Sequence, residues 1–123
     1  MDEGLKGGKM GKVYFTLTGT KHYLGSEFLK PGMKLQLEKE PENEYDKEAI
    51  AVKLEGLGKI GYVANSPYTV IGDSMSAGRL YDRIGNKAVG KVILITLQGA
   101  LCKVSKKSLL DRKEQDEIEP IIE

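Results

Sequence analysis

Cysteine and histidine are nearly missing: Cys102 and His22 stand alone in 123 residues. A single cysteine excludes an intramolecular disulfide and makes a reducing, cytoplasmic setting the natural expectation. The same scarcity excludes a Cys/His zinc site, which needs several such ligands. No apolar run approaches the ~20 residues needed to span a bilayer, so no membrane partner is expected. The opening stretch MDEGLKGGKMGK is polar and glycine-rich, without the apolar segment of a secretion signal. Residues 1–11 read as a flexible lead. A Walker-type glycine loop is also missing, and no cofactor is expected.

What is present suits one soluble globular domain. Apolar residues make up 40% and charged residues 30% of the chain, ordinary shares for that class. The length allows a core without disulfides or metals. Fifteen glycines without a Gly-X-Y period indicate many turns. Charge is unevenly spread. Residues 111–123 hold six acids and two bases, a net −4, which leaves +5 on residues 1–110. A mildly basic body with an acidic tail is compatible with a polyanion partner.

Periodicity supplies the elements. In KVYFTLTGT, Val13, Phe15 and Leu17 alternate with Tyr14, Thr16 and Thr18, which predicts a half-buried strand. KPGMKLQLEKE opens with a Pro-Gly turn, and Met33, Leu35 and Leu37 then mark a second strand. Ile50, Val52 and Leu54 share a face, and Gly56 to Gly58 turn the chain into KIGYVA, predicting a hairpin. Asn65-Ser66-Pro67 ends the sheet. A short helix or turn is expected near 67–71. A better helix is expected near 74–84, with Ala77, Leu80, Tyr81 and Ile84 on its apolar face. VGKVILITLQ is apolar on both faces around Val92 to Ile95 and reads as a central strand. GALCKVS continues it or returns antiparallel. Residues 105–123 are a charged C-terminal helix or tail. The fold class is therefore mainly β: a small OB-like barrel of five to six strands over residues 12–104, with one or two short helices after the fourth strand.

The most unusual stretch is EPENEYDKEAIAV, Glu40 to Val52. Its acids fall at every second position: Glu40, Glu42, Glu44, Asp46 and Glu48. A calcium loop would need glycine at the sixth position and a bidentate acid at the twelfth. Those positions hold Tyr45 and Ala51, so the loop fails. A two-metal centre would gather acids from several elements, which local spacing does not reveal. A plain solvated turn is the simplest reading of the acids. Asn43 and Asp46, however, are turn formers that bond their own backbone, which would hold Tyr45 in place. A held tyrosine can stack a base, and the carboxylate beside it can accept a hydroxyl hydrogen bond.

EPENEYDKEAIAV followed by GKIGYVA resembles the HIRAN domain family. That family carries a pattern like E-P-x-N-x-Y-D-x-x-A-[IV]-x-V and then a hydrophobic-Gly-Tyr/His-[VI] strand. The resemblance covers roughly residues 13 to 97. It includes modules attached to SNF-type ATPases and stand-alone bacterial proteins, and this chain looks like the stand-alone kind. It implies an OB-like barrel that grips the 3′ end of single-stranded DNA, in repair or replication-related processes. It further implies that Tyr45 stacks the terminal base, that Asp46 contacts the 3′-hydroxyl and that Asn43, which matches one of a pair of Asn residues, belongs to the same binding site. Glu42 replaces a second Asn of the family pattern. Lys21-His22, with Tyr23 adjacent, aligns with an Arg-Tyr pair on the first strand. Tyr62 stands at a His position, and Asn65 replaces a phosphate-contacting Lys.

Each of these residues also has a plainer role open to it. Tyr62 would pack at a strand end, His22 would sit on the surface, and Lys21, Lys34, Lys39 and Lys59 would be solvated individually, with a backbone channel that holds phosphates the alternative for some of them. Three functions follow in order. The first is a non-enzymatic module for single-stranded DNA ends. The second is a metal-dependent hydrolase acting on nucleic acid ends, with Glu40, Glu42 and Asp46 as ligands. The third is a protein-interaction module that keeps the fold without DNA binding. No protein partner is identifiable.

Overall fold

Alternation with period two writes most of the architecture. The computed structural model describes residues 12–20, 23 and 27–110. The predicted N-terminal lead, Lys21, His22 and the C-terminal residues 111–123 lie outside the described residues. Among the described residues six strands form: β1 (Tyr14–Thr18), β2 (Lys34–Lys39), β3 (Ile50–Leu54), β4 (Gly58–Val63), β5 (Lys87–Ile95) and β6 (Ala100–Val104). One short helix, α1 (Ala77–Tyr81), lies between β4 and β5. The strands close into a barrel in the order β1-β4-β3-β2-β5-β6, and every pairing is antiparallel. This is the OB-like barrel that the strand spacing predicts.

The inner face is the expected set. Phe15, Leu17, Leu35, Leu37, Ile50, Val52, Ile60, Val92 and Val104 are all buried. Burying one such side chain stabilises the fold by roughly 1.5–3 kcal/mol. Closure leaves no free sheet edge. GALCKVS returns antiparallel as β6, and Cys102 points inward among the apolar side chains. Burial pushes its thiol up to about 12.

β5 departs from expectation. It is not buried on both faces: Val92 faces the core, but Ile93 is 36% and Leu94 55% exposed. In a closed barrel only the inner face is covered by the core, and Ile93 and Leu94 lie off it. The pairing with β6 also shifts register between Val92 and Leu94, and such a bulge puts neighbouring side chains outside.

β1 departs in the other direction. Thr16 lies on its outward side yet is buried, because the segment after the Asn-Ser-Pro turn folds over it. Thr16 Oγ1 pairs with Ser74 Oγ at 2.9 Å and accepts from Ile71 N at 2.9 Å. The 67–71 region is a turn anchored on Ser66, whose carbonyl accepts from Thr69 N and Val70 N. The second helix is shorter than the apolar stripe suggests. It begins after Ser76, whose Oγ accepts from Arg79 N at 3.3 Å. Ala77, Leu80 and Ile84 still plug the barrel. Tyr81 lies half-buried beneath Lys39. After β6 a 3₁₀ turn (Lys106–Ser108) lays the chain back on the barrel, and Leu110 N donates to Arg83 O.

Candidate nucleic-acid interface

The β2–β3 connection is held by its own side chains. Glu40 N donates to Ala49 O and Asn43 N to Glu40 O, both at 2.9 Å, while Ala49 N donates to Asp46 O at 3.0 Å. Asn43 Oδ1 accepts from Tyr45 N at 2.8 Å and Asp46 N at 2.9 Å. An Asn side chain capping its following amides is the Asx turn expected of this residue. The turn leaves Tyr45 93% exposed, with its backbone fixed and its ring free.

Asp46 is fixed at both oxygens. Oδ1 accepts from Glu48 N, and Oδ2 accepts from the Asn65 Nδ2 amide, each at 2.9 Å. Asn65 in turn accepts from Gly78 N at 2.8 Å through Oδ1. Each carboxylate oxygen has two acceptor positions, so Asp46 retains capacity for a ligand hydroxyl. Asn43, Tyr45, Asp46, Tyr62 and Asn65 all border one open cleft of about 450 Å³, with Ser66 and Thr69 on its far wall.

Tyr62 serves the cleft partly from behind. Its hydroxyl donates to Glu40 Oε1 at 2.8 Å and accepts from Lys59 Nζ at 2.7 Å. Lys59 also pairs with Glu40 Oε2 at 2.7 Å and lies 4.7 Å from the Tyr62 ring centre. Burial alone would raise the Glu40 carboxyl, but hydrogen bonds from Lys59, Asn43 and Tyr62 outweigh it and hold the group below its ordinary value. The same bonds, to Glu40 first and Tyr62 second, hold the Lys59 ammonium above the usual lysine range. Burial pushes the Tyr62 hydroxyl up.

Five of the eight predicted site residues therefore meet in one place. Tyr23 does not line the cleft; it is 42% exposed, and its N–H donates to Thr20 O. Lys21 and His22 lie outside the described residues. Of the lysines singled out, Lys59 is held by Glu40 and Lys39 by Ile84 O, at 2.9 Å, and by the Tyr81 ring. Burial lowers the Lys39 ammonium. No lysine or arginine is among the described residues lining the cleft. Among the described residues, no three His, Cys, Asp or Glu side chains gather as a metal site. Glu40 faces Lys59 rather than Glu42 and Asp46.

Turn signals mark Ser66 but give it no site role, and no sequence signal points to Thr69 or Tyr68. Tyr68 is 91% exposed and sits on the Ser66 turn, its N–H donating to Ser66 Oγ at 3.1 Å. Asn-Ser-Pro marked that turn but not its position beside Asp46.

Comparison with known proteins bears on the fold and the family. The crystal structure of the HIRAN domain of human HLTF superposes with a TM-score of 0.53 at 18% identity, over 77% of this chain and 75% of that one. At that identity the likeness speaks for the fold. A crystal structure of a Lactobacillus plantarum protein matches at 25% identity over 77% of this chain and 97% of that one, with a TM-score of 0.47. No curated protein matches the chain. Among the described residues, no helix is long and apolar enough to cross a membrane. The HIRAN domain family model matches residues 10–80, a span that holds β1 to β4, the Asn43–Asp46 turn and Asn65, and the chain belongs to the HIRAN domain family.

Proposed function

We propose that the Asn43–Asp46 cleft binds the 3′-hydroxyl end of single-stranded DNA, as a binding module without catalysis. One observation carries the reading: an exposed tyrosine and an oriented carboxylate stand side by side on one self-capped turn, facing one cleft. Tyr45 offers a free ring on which a terminal base can stack, worth ~1–3 kcal/mol per base. Asp46 accepts the terminal hydroxyl and repels a terminal phosphate. The lack of cationic residues in the described lining favours recognition of a base and hydroxyl over recognition of a phosphate. Free 3′ ends arise at breaks and primer termini, so repair or replication is the matching setting.

Fluorescence anisotropy tests it with a 3′-hydroxyl oligonucleotide and the same strand ending in 3′-phosphate. The hydroxyl strand should bind at least tenfold more tightly, and Tyr45→Ala should weaken it by about 1–3 kcal/mol. Equal binding of the two strands would overturn the reading.

A further inference from the structure

A basic feature lies at the other end of the barrel from the Asn43–Asp46 cleft. In register, Lys34 on β2 stands directly opposite Lys91 on β5, and Lys91 stands opposite Lys103 on β6. Directly opposed residues share a face. Leu35, Val92 and Cys102 beside them point inward, so the three lysines all point outward. Lys103 is in turn opposite Tyr14 on β1. The outer surface thus carries an unbroken row, Tyr14–Lys103–Lys91–Lys34, across four strands. Lys106 joins the three lysines in lining a cleft of about 470 Å³.

Among the described residues, the ion pairs are Lys53–Glu38 and Lys59–Glu40. None of the four lysines of the cleft takes part in either. Like charges directly opposite on a sheet destabilise it, and here two such pairs share Lys91. Strand spacing of about 4.8 Å stretches the three lysines over roughly 10 Å, within reach of successive phosphates for ammonium groups on flexible stems. A basic groove is the part of a single-strand site that tracks the backbone without reading its sequence, and Tyr14, next in the row though not among the residues lining the cleft, is its aromatic neighbour.

The row is separate from the Tyr45 cleft. β2 runs from Lys34 in the row to Lys39, which is paired with Ile50 next to the Asn43–Asp46 loop. β1 runs from Tyr14 in the row to Thr18, which is opposite Tyr62. Five residue steps on β2, about 17 Å, and four on β1, about 14 Å, separate the two places.

We propose that Lys34, Lys91, Lys103 and Lys106, with Tyr14 at the edge, form a second nucleic-acid site, a phosphate track that holds single-stranded backbone independently of any strand end. It goes beyond the end-binding reading and does not need it.

Circular single-stranded DNA, which has no end, separates the two sites. The wild-type chain should bind the circle, and Tyr45→Ala should bind it equally well. The Lys91→Gln/Lys103→Gln variant should lose about 25-fold in affinity at 0.1 M salt, with a salt slope shallower by about 1.4, as expected for two lost phosphate contacts at ~0.7 each. Lys91→Arg/Lys103→Arg should retain binding. The double Gln variant should also unfold at a higher urea concentration than wild type at low salt, because the opposed charges are gone, so reduced binding is not loss of fold. Unchanged circle binding by the double Gln variant would overturn the track, as would its loss in Tyr45→Ala. Equal binding of phosphatidylserine vesicles or poly-glutamate would assign the row to a membrane or an acidic protein instead, and would also overturn it.

Discussion

Asn65 donates its side-chain amide to Asp46 Oδ2 across 2.9 Å, joining the β2–β3 turn to the segment after β4. The same side chain accepts from Gly78 N at the start of α1. One amide therefore orients the carboxylate and ties down the helix. Asn65→Ala should cost about 1–2 kcal/mol in urea unfolding, for two lost hydrogen bonds of ordinary strength, and should weaken 3′-hydroxyl binding because Asp46 is no longer held. Asn65→Asp should be worse on both counts, since it sets a third carboxylate beside Asp46 and Glu48, whose Oε1 lies 3.4 Å from Asn65 Nδ2. Unfolding midpoints and anisotropy on the same samples decide this, and unchanged stability in both variants would refute the bridge.

Asn43 and Tyr45 should separate stability from binding. Asn43 Oδ1 holds two amides of the turn, so Asn43→Ala should lose about 1–2 kcal/mol of stability as well as DNA affinity. The Tyr45 ring is almost wholly exposed, so Tyr45→Ala should change stability by less than about 0.5 kcal/mol while reducing affinity. A stability loss in Tyr45→Ala equal to that in Asn43→Ala would mean the ring packs against the fold in solution.

The Glu40–Lys59 pair predicts a pH window. The Glu40 carboxyl is depressed below its ordinary 4.5 in the folded chain. Its contribution is therefore present above 4.5 and lost as pH falls through the lower folded value. Lys59 is raised above its ordinary 10.5, so its contribution is full below 10.5 and lost as pH rises through the higher folded value. Glu40→Gln should flatten the acid limb of a stability–pH profile, and Lys59→Met the alkaline limb. Urea midpoints across the range check both limbs.

Gly61 lets β1 and β4 close beneath Tyr62. A Cβ there would lie 2.5 Å from Thr18 O and 2.8 Å from Leu17 Cδ1. Backbone cannot give way as a side-chain tip does, so Gly61→Ala should cost about 1–3 kcal/mol through overpacking. It should also displace the neighbouring Tyr62 and with it the Glu40 network, which a chemical-shift map centred on Tyr62 and Glu40 would reveal.

Some of this was legible along the chain because the relevant physics is local. Leu35 and Leu37, or Ile50, Val52 and Leu54, announce their strands since a pleated strand repeats every two residues. The Asn43–Tyr45–Asp46 turn was legible for the same reason, because an Asx turn closes within three residues. Ile93 and Leu94 misled because hydrophobicity says nothing about which face a bulged strand presents. The stripe from Ala77 to Ile84 showed its apolar face but not where the five-residue helix stops.

The sequence by itself determined that the chain is β-rich, where its strands and hairpin turns fall, and that Tyr45 stands on a self-capped acidic turn. Each of these depends on neighbours a few residues apart. Only the tertiary structure decided which distant groups share a surface. Strand order set β2 beside β5 and so placed Lys34 against Lys91. The β3–β4 pairing set Asn65, just after β4, against Asp46, just before β3, and the β2–β3–β4 pairing set Lys59 and Tyr62 against Glu40. These contacts span up to 57 positions in Lys34–Lys91, and no local periodicity encodes a register that exists only once the sheet has closed.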